Sequence, residues 1–158
     1  MSMSLPGARV LVLGGSVFVG KHLVDALVRE GADVAVLNRG RTATTLPDGV
    51  EHLAADRTDH AQMRSALAGR EWDVVFDVSG FVMAAGGSDV DALLDLLDGR
   101  VGRCVYTSSV MAYDQSWIGV FPWTEVQPTN PDGASTYGGF KARHGNIAKP
   151  IERAVPDD

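Results

Sequence analysis

The chain is poor in the features that mark disulfide-rich, nucleic-acid-binding and membrane-spanning proteins. Its 158 residues include one cysteine, Cys104, so no disulfide can form within the chain, and the apolar run RCVYTSS favours a packed thiol over a reactive one. No run of lysine and arginine exceeds two residues and the net charge is −6, which argues against a nucleic-acid partner. The early apolar stretch VLVL is too short to cross a bilayer and no cleavage pattern follows it, so we expect a cytoplasmic protein without a membrane partner.

Metal-binding and hydrolase patterns are also missing. The four histidines have no ligand-type spacing, and no serine lies in a Gly-x-Ser-x-Gly turn. We therefore expect no metal site, and we expect the histidines to lie at the surface. The histidines are His22, His52, His60 and His144.

Short apolar runs alternate with longer amphipathic stretches along the chain. The alternation predicts an α/β fold in which five parallel strands form a doubly wound sheet of order 3-2-1-4-5, with right-handed crossovers. We expect one domain over 1–158, with a long loop at 110–133, a final helix from near Ser135, and a frayed tail at 150–158. The predicted strands are 8–15, 33–40, 50–55, 72–80 and 103–109, and the predicted helices between them are 18–31, 59–69 and 88–99.

Glycines surround the turn between the first strand and the first helix, LGGSVFVGKH. Glycine permits a tight turn there, lets backbone N–H groups approach a pyrophosphate, and allows the helix to pack closely on the sheet. A glycine-rich turn after a strand is also common as plain loop geometry, but the βαβ setting favours a dinucleotide site. The predicted cofactor-binding residues of this turn are Gly14, Gly15, Ser16, Val17, Phe18, Val19 and Gly20.

The ends of strands two and three carry polar residues. Asn38, Arg39 and Arg41 follow strand two, where an acid would bind the ribose 2′-hydroxyl of NAD and a basic residue would accommodate the 2′-phosphate of NADP. NADP(H) is therefore slightly favoured over NAD(H), with a solvated loop arginine as the alternative. Asp56 and Arg57, past strand three, are predicted to edge the adenine pocket unless they only cap a turn.

Tyr137 and Lys141 form a Tyr-x-x-x-Lys pair in STYGGFKARHG. On a helix the two side chains lie one turn apart on the same face. A nearby ammonium lowers the pKa of a phenol, so the pair is suited to proton transfer near neutrality.

The glycine turn, the polar residues after strands two and three, and the Tyr-x-x-x-Lys pair follow one another in the order found in the short-chain dehydrogenase/reductase superfamily. The chain resembles the extended and atypical branches of that superfamily, which include the NAD-dependent epimerase/dehydratase family. The resemblance covers nearly the whole chain and implies a Rossmann-like NAD(P)-binding domain over 1–158. It implies that Tyr137 is the general acid/base, that Lys141 lowers its pKa and contacts the ribose, and that Ser109 hydrogen-bonds the substrate oxygen. Ser109 is preferred to Ser108 because of its spacing to Tyr113, although either serine could simply cap a strand end. After strand four the resemblance adds Val78, Ser79 and Gly80 to the cofactor site.

Two departures from the family leave the function open. Val17 stands where the extended branch has a middle glycine, as in atypical members that include reductase-like proteins, RNA binders and cofactor sensors. The chain also ends soon after Lys141, so we expect the last strands and the substrate region to be missing.

Three functions follow as expectations. One is an NAD(P)-dependent oxidoreductase, epimerase or dehydratase acting on a sugar nucleotide or another small hydroxy or carbonyl substrate. The others are a non-catalytic dinucleotide-binding or regulatory module and an inactive fragment. An open edge at strand five predicts a homo-oligomer or a partner that covers it.

Overall fold

A computed structural model describes the residues 5–41, 45–79, 88–114, 116, 124, 126–131 and 136–147. Within them the chain forms one parallel sheet of order β3-β2-β1-β4-β5, which confirms the predicted α/β class and strand order. The strands are β1 Arg9–Leu13, β2 Asp33–Asn38, β3 Glu51–Ala54, β4 Trp72–Asp77 and β5 Val101–Tyr106. The helices are α1 Phe18–Arg29, α2 His60–Leu67, α3 Ser88–Leu97 and α4 Tyr137–Ile147, with a 3-10 turn at Val110–Ala112.

Strand β1 is apolar without alternation because both faces of the sheet are covered. Val10 and Val12 belong to one core cluster together with Val24 and Leu27 of α1. Leu11 and Leu13 belong to a second cluster, which contains α2 and α3 side chains: Met63, Leu67, Leu93 and Leu97. Two cores separated by the sheet are the usual arrangement of a parallel α/β domain.

Local signals set the helix boundaries. Gly31, with a φ of +81°, follows α1 and ends it, as predicted. The Asp59 carboxylate accepts hydrogen bonds from the Ala61 and Gln62 N–H groups at the start of α2. The Thr136 hydroxyl accepts one from Gly139 N–H (3.1 Å), and α4 begins at Tyr137, close to the expected start near Ser135.

The predicted position of the fifth strand, 103–109, was wrong at both ends. Val101 is fully buried beside its partner Trp72, which starts the strand two residues earlier. The pairing ends where β4 ends, at Asp77 and Tyr106, so the serine pair lies beyond the strand. The predicted loop 110–133 includes the 3-10 turn and an antiparallel bridge between Tyr113 and Thr129, and the tail 150–158 lies outside the described residues.

In the part of the chain that the structure describes, no helix has the length and apolarity needed to cross a bilayer.

Candidate functional site

Neighbouring strands end level with one another at the carboxyl edge of the sheet. Leu13 pairs with Leu37 on one side and with Asp77 on the other, and Asp77 pairs with Tyr106. Hydrogen bonds continue past the strand ends, from Gly14 N–H to the Leu37 carbonyl and from Val78 N–H to the Leu13 carbonyl, both 3.1 Å. The turns that follow these strands therefore open at one edge, where ligands of doubly wound sheets bind.

The three predicted glycines of the first turn are required by close contacts. A Cβ atom at Gly20 would overlap the Gly14 carbonyl oxygen, and one at Gly15 would lie 2.9 Å from methyl groups of Val24 and Val36. Gly14 has a φ of +90°, and a Cβ there would lie 2.7 Å from the Cβ of Ser79. Glycine at these positions thus lets the turn, here called the glycine cradle, pack closely on the helix and the sheet. Close packing of this kind at a helix start is what the sequence predicts for a turn whose backbone N–H groups approach a pyrophosphate.

Three further residues of this turn are apolar and exposed. Val17, Phe18 and Val19 are 59%, 82% and 51% exposed. Val17 occupies the N-cap of α1 without a side-chain hydrogen bond, and Phe18 is the one non-glycine residue of the described ranges with a positive φ (45°). Such a backbone is costly for a bulky residue, and strain of this kind is concentrated at ligand sites.

Asn38 links the glycine turn to the ends of β2 and β3. Its Nδ2 donates to the Ser16 hydroxyl (2.6 Å), while its Oδ1 accepts from Gly40 N–H (2.7 Å) and lies 2.9 Å from His52 Nε2. Sequence reasoning predicted Asn38 and Ser16 as separate cofactor contacts, and His52 as a surface residue. The structure joins all three in one hydrogen-bonded group.

A cavity of about 570 Å³ opens beside Asn38, between the glycine turn and the ends of β2, β3 and β4. Arg39 and Arg41 are exposed at this corner, and their positive charges contribute to lowering the pKa of Asp56, after its hydrogen bonds to Thr58. Asp56 accepts those bonds from Thr58 N–H (3.1 Å) and hydroxyl (2.8 Å), as in a capped turn. The cavity is lined by Leu13, Gly14, Leu37, Asn38, Arg39, Ala55, Asp56, Arg57, Thr58 and Ser79.

Arg57 lines the cavity with its buried guanidinium bound to carboxylates inside the fold. It donates in parallel to Asp77 Oδ1 (2.8 Å) and Oδ2 (2.9 Å), and NH1 also donates to the Ser79 hydroxyl (3.0 Å). Its Nε lies 2.5 Å from Asp89 Oδ2, an ion pair without hydrogen-bond geometry. Burial alone would lower the pKa of Arg57, but the hydrogen bonds with Asp77 and the charges of Asp77 and Asp89 outweigh burial and raise it.

Sequence reasoning missed both of these acids. Asp77 ends the apolar run WDVVFD, and a charged residue at that point in a buried strand was the available signal. Asp89 lies in the first turn of α3 and looks like an ordinary helix-start acid.

Tyr137 and Lys141 lie in the first turns of α4. The Lys141 ammonium donates to the Thr107 carbonyl (2.7 Å) and lies 4.4 Å from the ring centre of Tyr106 and 5.8 Å from that of Tyr137. Lys141 is buried, whereas Tyr137 is 42% exposed. Burial lowers the pKa of Lys141, and the charge of Asp77 opposes that shift.

The start of α4 packs on the turn that follows β5. A Cβ at Gly138 would overlap the Met111 carbonyl oxygen and lie 2.7 Å from Asn130 Nδ2. Asn130 N–H donates to the Ala112 carbonyl (2.7 Å), so the segment 126–131 is joined to the same turn. Ser109 caps this 3-10 turn by accepting from Met111 N–H (3.2 Å), a capping role like the one weighed from the sequence.

Two of the predicted residues after β4 are described. The Ser79 hydroxyl accepts a hydrogen bond from Arg57, and a methyl group of Val78 lies 3.0 Å from where a Cβ atom on Gly20 would be. Gly80 lies outside the described residues.

The sequence also matches a family model. Residues 10–141 match the model of the NAD dependent epimerase/dehydratase family, which is most of the chain. The chain belongs to this epimerase/dehydratase family. The family resemblance inferred from the motifs is thereby confirmed.

Individual relatives of this epimerase/dehydratase chain have different names. It is 29% identical over 136 residues to the chloroplast stem-loop binding protein of 41 kDa b from Arabidopsis thaliana, covering 78% of this chain and 34% of that protein. It is 26% identical over 172 residues to UDP-glucose 4-epimerase from Neisseria meningitidis serogroup B, covering 94% and 49%.

Solved structures share the fold. UDP-glucose 4-epimerase from Bifidobacterium longum, determined in complex with NAD+ and UDP, matches with a TM-score of 0.73 and 23% identity, over 93% of this chain and 50% of that one. The chain thus spans half or less of the length of these relatives.

Proposed function

We propose that this chain is an NAD(P)-dependent protein of the oxidoreductase, epimerase or dehydratase type. The observation that carries the proposal is the position of Lys141. Its ammonium is bonded to Thr107 at the carboxyl edge of the sheet and lies one helical turn from Tyr137, at the edge where the glycine cradle also opens. Family membership over residues 10–141 supports the same reaction class.

The residues suggest a division of labour. The Tyr137 hydroxyl would take the proton from a substrate hydroxyl, or return it to a carbonyl oxygen, while the Lys141 charge stabilises the phenolate. Ser109 would hydrogen-bond the same substrate oxygen. A bound nicotinamide would supply the hydride acceptor or donor, so that the substrate carbon is oxidised as the ring is reduced, or the reverse. We propose a sugar nucleotide or another small hydroxy or carbonyl compound as substrate, in line with the names of the relatives.

The test is the substitution Tyr137→Phe, which removes the proton donor and keeps the ring. We expect turnover of a panel of sugar nucleotides and small hydroxy or carbonyl compounds to fall by about 100-fold or more. The affinity for the dinucleotide, measured by calorimetry, should be unchanged. Tyr113→Phe is the matched control and should keep full activity; undiminished turnover in Tyr137→Phe would refute the proposed role.

For the cofactor we propose a modest preference for NADP(H). Asn38 offers an amide where NAD enzymes have a carboxylate, and its Oδ1 already accepts from Gly40 and lies next to His52. Arg39 and Arg41 are exposed cations beside the cavity that could accept a 2′-phosphate.

Calorimetric titration with NADPH and with NADH tests this preference. The variant Arg39→Gln should weaken NADPH binding and leave NADH binding nearly unchanged. Arg64→Gln, which removes an exposed arginine on α2 away from the cavity, should affect neither. Equal affinities of the wild type for both nucleotides would contradict the preference.

A second candidate function is a dinucleotide-binding or regulatory module without catalysis. Val17 favours it, because this valine replaces the middle glycine of the turn and lies 59% exposed at the head of α1. Tight dinucleotide binding combined with no hydride transfer to any compound of the panel would select this function.

We also propose a homo-oligomer or a partner that covers β5. In the described sheet β5 is an edge strand, and its Val105 is 38% exposed. A monomer in sedimentation analysis, stable on its own, would contradict this. With a net charge of −6, binding of nucleic acid is not expected.

A further inference from the structure

The side chains of Asn38 and His52 lie next to each other on one face of the sheet. Strands β2 and β3 pair in register with Val36 beside His52 and Asn38 beside Ala54, and alternate residues of a strand share a face. Asn38 is half-buried and lines the cavity, whereas His52 is exposed and does not line it. Any effect of His52 on a ligand in the cavity therefore passes through Asn38.

The backbone of Gly40 identifies the two atoms of the Asn38 amide. Gly40 N–H is a donor and lies 2.7 Å from one of them, which must therefore be the oxygen, Oδ1. The nitrogen, Nδ2, donates to the Ser16 hydroxyl (2.6 Å). The His52 ring packs against the same backbone, since its Cε1 lies 3.4 Å from where a Cβ atom on Gly40 would be. The amide is thus fixed in one orientation.

This orientation also fixes a hydrogen on the His52 ring. Nε2 of His52 lies 2.9 Å from Asn38 Oδ1, and an amide oxygen only accepts, so Nε2 carries a hydrogen and donates it. A carbonyl oxygen has two lone pairs, and the Gly40 and His52 hydrogens take both. Asn38 Oδ1 is therefore saturated before a ligand arrives.

We propose that His52 is a specificity-determining residue for the dinucleotide. Its Nε2–H occupies the acceptor on Asn38 with which the ribose 2′-hydroxyl of NAD would form a hydrogen bond. A 2′-phosphate has no hydroxyl to donate there and loses nothing, so the contact disfavours NAD(H) relative to NADP(H). The inference rests on the proposed function, because it concerns how the proposed cofactor is selected, and its test distinguishes the failure of one from the failure of the other.

The test compares two substitutions of His52 by calorimetric titration of the full chain with NADH and with NADPH. His52→Leu removes the donor and frees a lone pair of Asn38 Oδ1. We expect the ratio of NADH to NADPH affinity to rise by about fivefold, the size of one hydrogen bond. His52→Gln keeps an amide N–H that can replace Nε2–H, so its ratio should stay close to that of the wild type. His60→Leu removes an exposed histidine at the start of α2 and should leave the ratio unchanged.

Asn38→Asp tests whether His52 acts through residue 38. A carboxylate has about four lone-pair sites, so it can accept from Gly40, from His52 and from a ribose hydroxyl at the same time. In the Asn38→Asp background, His52→Leu should therefore change the affinity ratio by less than about twofold. Equal changes in the two backgrounds would overturn the inference, since they would mean that the two residues act independently.

The hydrogen on the His52 ring is measured without any nucleotide. Long-range 15N–1H NMR of chain labelled in histidine shows which ring nitrogen is protonated, at about pH 8, where an unperturbed imidazole is neutral. The chain has four histidines, and the spectrum of His52→Gln identifies the His52 signal. We expect the Nε2–H form. The Nδ1–H form would overturn the inference, and this measurement needs no folded His52→Leu.

An unchanged affinity ratio in His52→Leu would also overturn the inference. An equal rise in His52→Gln would do so as well, because it would mean that the ring and not its N–H matters, and so would an equal rise in His60→Leu. A wild-type chain that binds neither nucleotide would instead refute the proposed function, and the selection of a cofactor with it.

Discussion

Arg57 and Asp77 join the turn after β3 to the end of β4 through two parallel hydrogen bonds of 2.8 and 2.9 Å. Arg70 and Glu51 form a pair of the same forked geometry, with both bonds 2.8 Å long. The side chains of the first pair are 9% and 2% exposed and those of the second 31% and 49%. The chain thus contains one type of ion pair in two environments.

We predict that Asp77→Asn lowers the free energy of unfolding by about 3 kcal/mol or more, because the buried Arg57 guanidinium loses one of its two carboxylates and one of its two parallel hydrogen bonds to residue 77. Glu51→Gln should cost less than about 1 kcal/mol, because water solvates Arg70 once its partner is neutral. Urea unfolding at neutral pH measures both values. Equal losses would mean that burial does not determine the contribution of the pair.

Gly20→Ala should disrupt the proposed dinucleotide site. The new methyl group would overlap the Gly14 carbonyl oxygen, and backbone cannot move aside as a flexible side chain can. We expect dinucleotide affinity to fall by about tenfold or more in calorimetry, a change of about 1.4 kcal/mol. Gly69→Ala is the control, since its Cβ meets nothing within 4 Å; it should show only the cost of its φ of +66° in melting, with binding retained.

Asn38→Asp should shift the cofactor preference towards NADH. A carboxylate can still accept from Gly40 N–H and can take a hydrogen bond from Ser16, while it attracts a ribose hydroxyl and repels a 2′-phosphate. We expect the ratio of NADH to NADPH affinity to rise by about tenfold or more. Ser65→Asp adds the same charge on the exposed face of α2, and a similar change of the ratio there would point to net charge instead.

The single thiol should react slowly in the folded chain. Burial, and to a smaller extent the charge of Asp77, raises the pKa of Cys104 from 9.0 to about 11. At pH 8 the thiolate fraction is then lower by about 100-fold, so alkylation by iodoacetamide should be at least that much slower than in urea-unfolded chain. Equal rates would contradict the raised pKa.

The same shift predicts how stability depends on alkaline pH. Between the unfolded and folded pKa values of Cys104, the unfolded thiol loses its proton and the folded one keeps it. The unfolded state is favoured as a result, so stability falls as the pH rises from about 9 towards 11. In Cys104→Ala the slope of unfolding free energy against pH over this window should be less steep.

The sheet could be predicted from the sequence because burial of its strands between two layers of helices produces a recognisable pattern of apolar residues. The unbroken apolar run of β1 reflects cover on both faces, and Gly31 ends the following helix by its positive φ. The end of β5 could not be predicted in this way, since the residues up to Ser109 suit a strand equally well. Its limit is set by the last residue of its partner, Asp77.

The candidate site was predicted where a local motif marks it and missed where the contacts are distant in sequence. The glycine turn and the Tyr-x-x-x-Lys pair are local patterns. The bonds from Arg57 to Asp77 and from Lys141 to Thr107 join residues 20 and 34 positions apart, and no short motif encodes them. The roles assigned to Ser109, Tyr137 and Lys141 stay predictions until their variants are measured.

The buried ion pairs of Arg57 with Asp77 and Asp89 have a consequence for the evolution of this fold. A single substitution that removes one charge leaves the opposite charge stranded in the interior, whereas a second substitution of opposite sign relieves it. We therefore expect positions 57, 77 and 89 to be strongly epistatic. Relatives that lack the arginine should also lack at least one of the acids, and the intermediate genotypes should be rare.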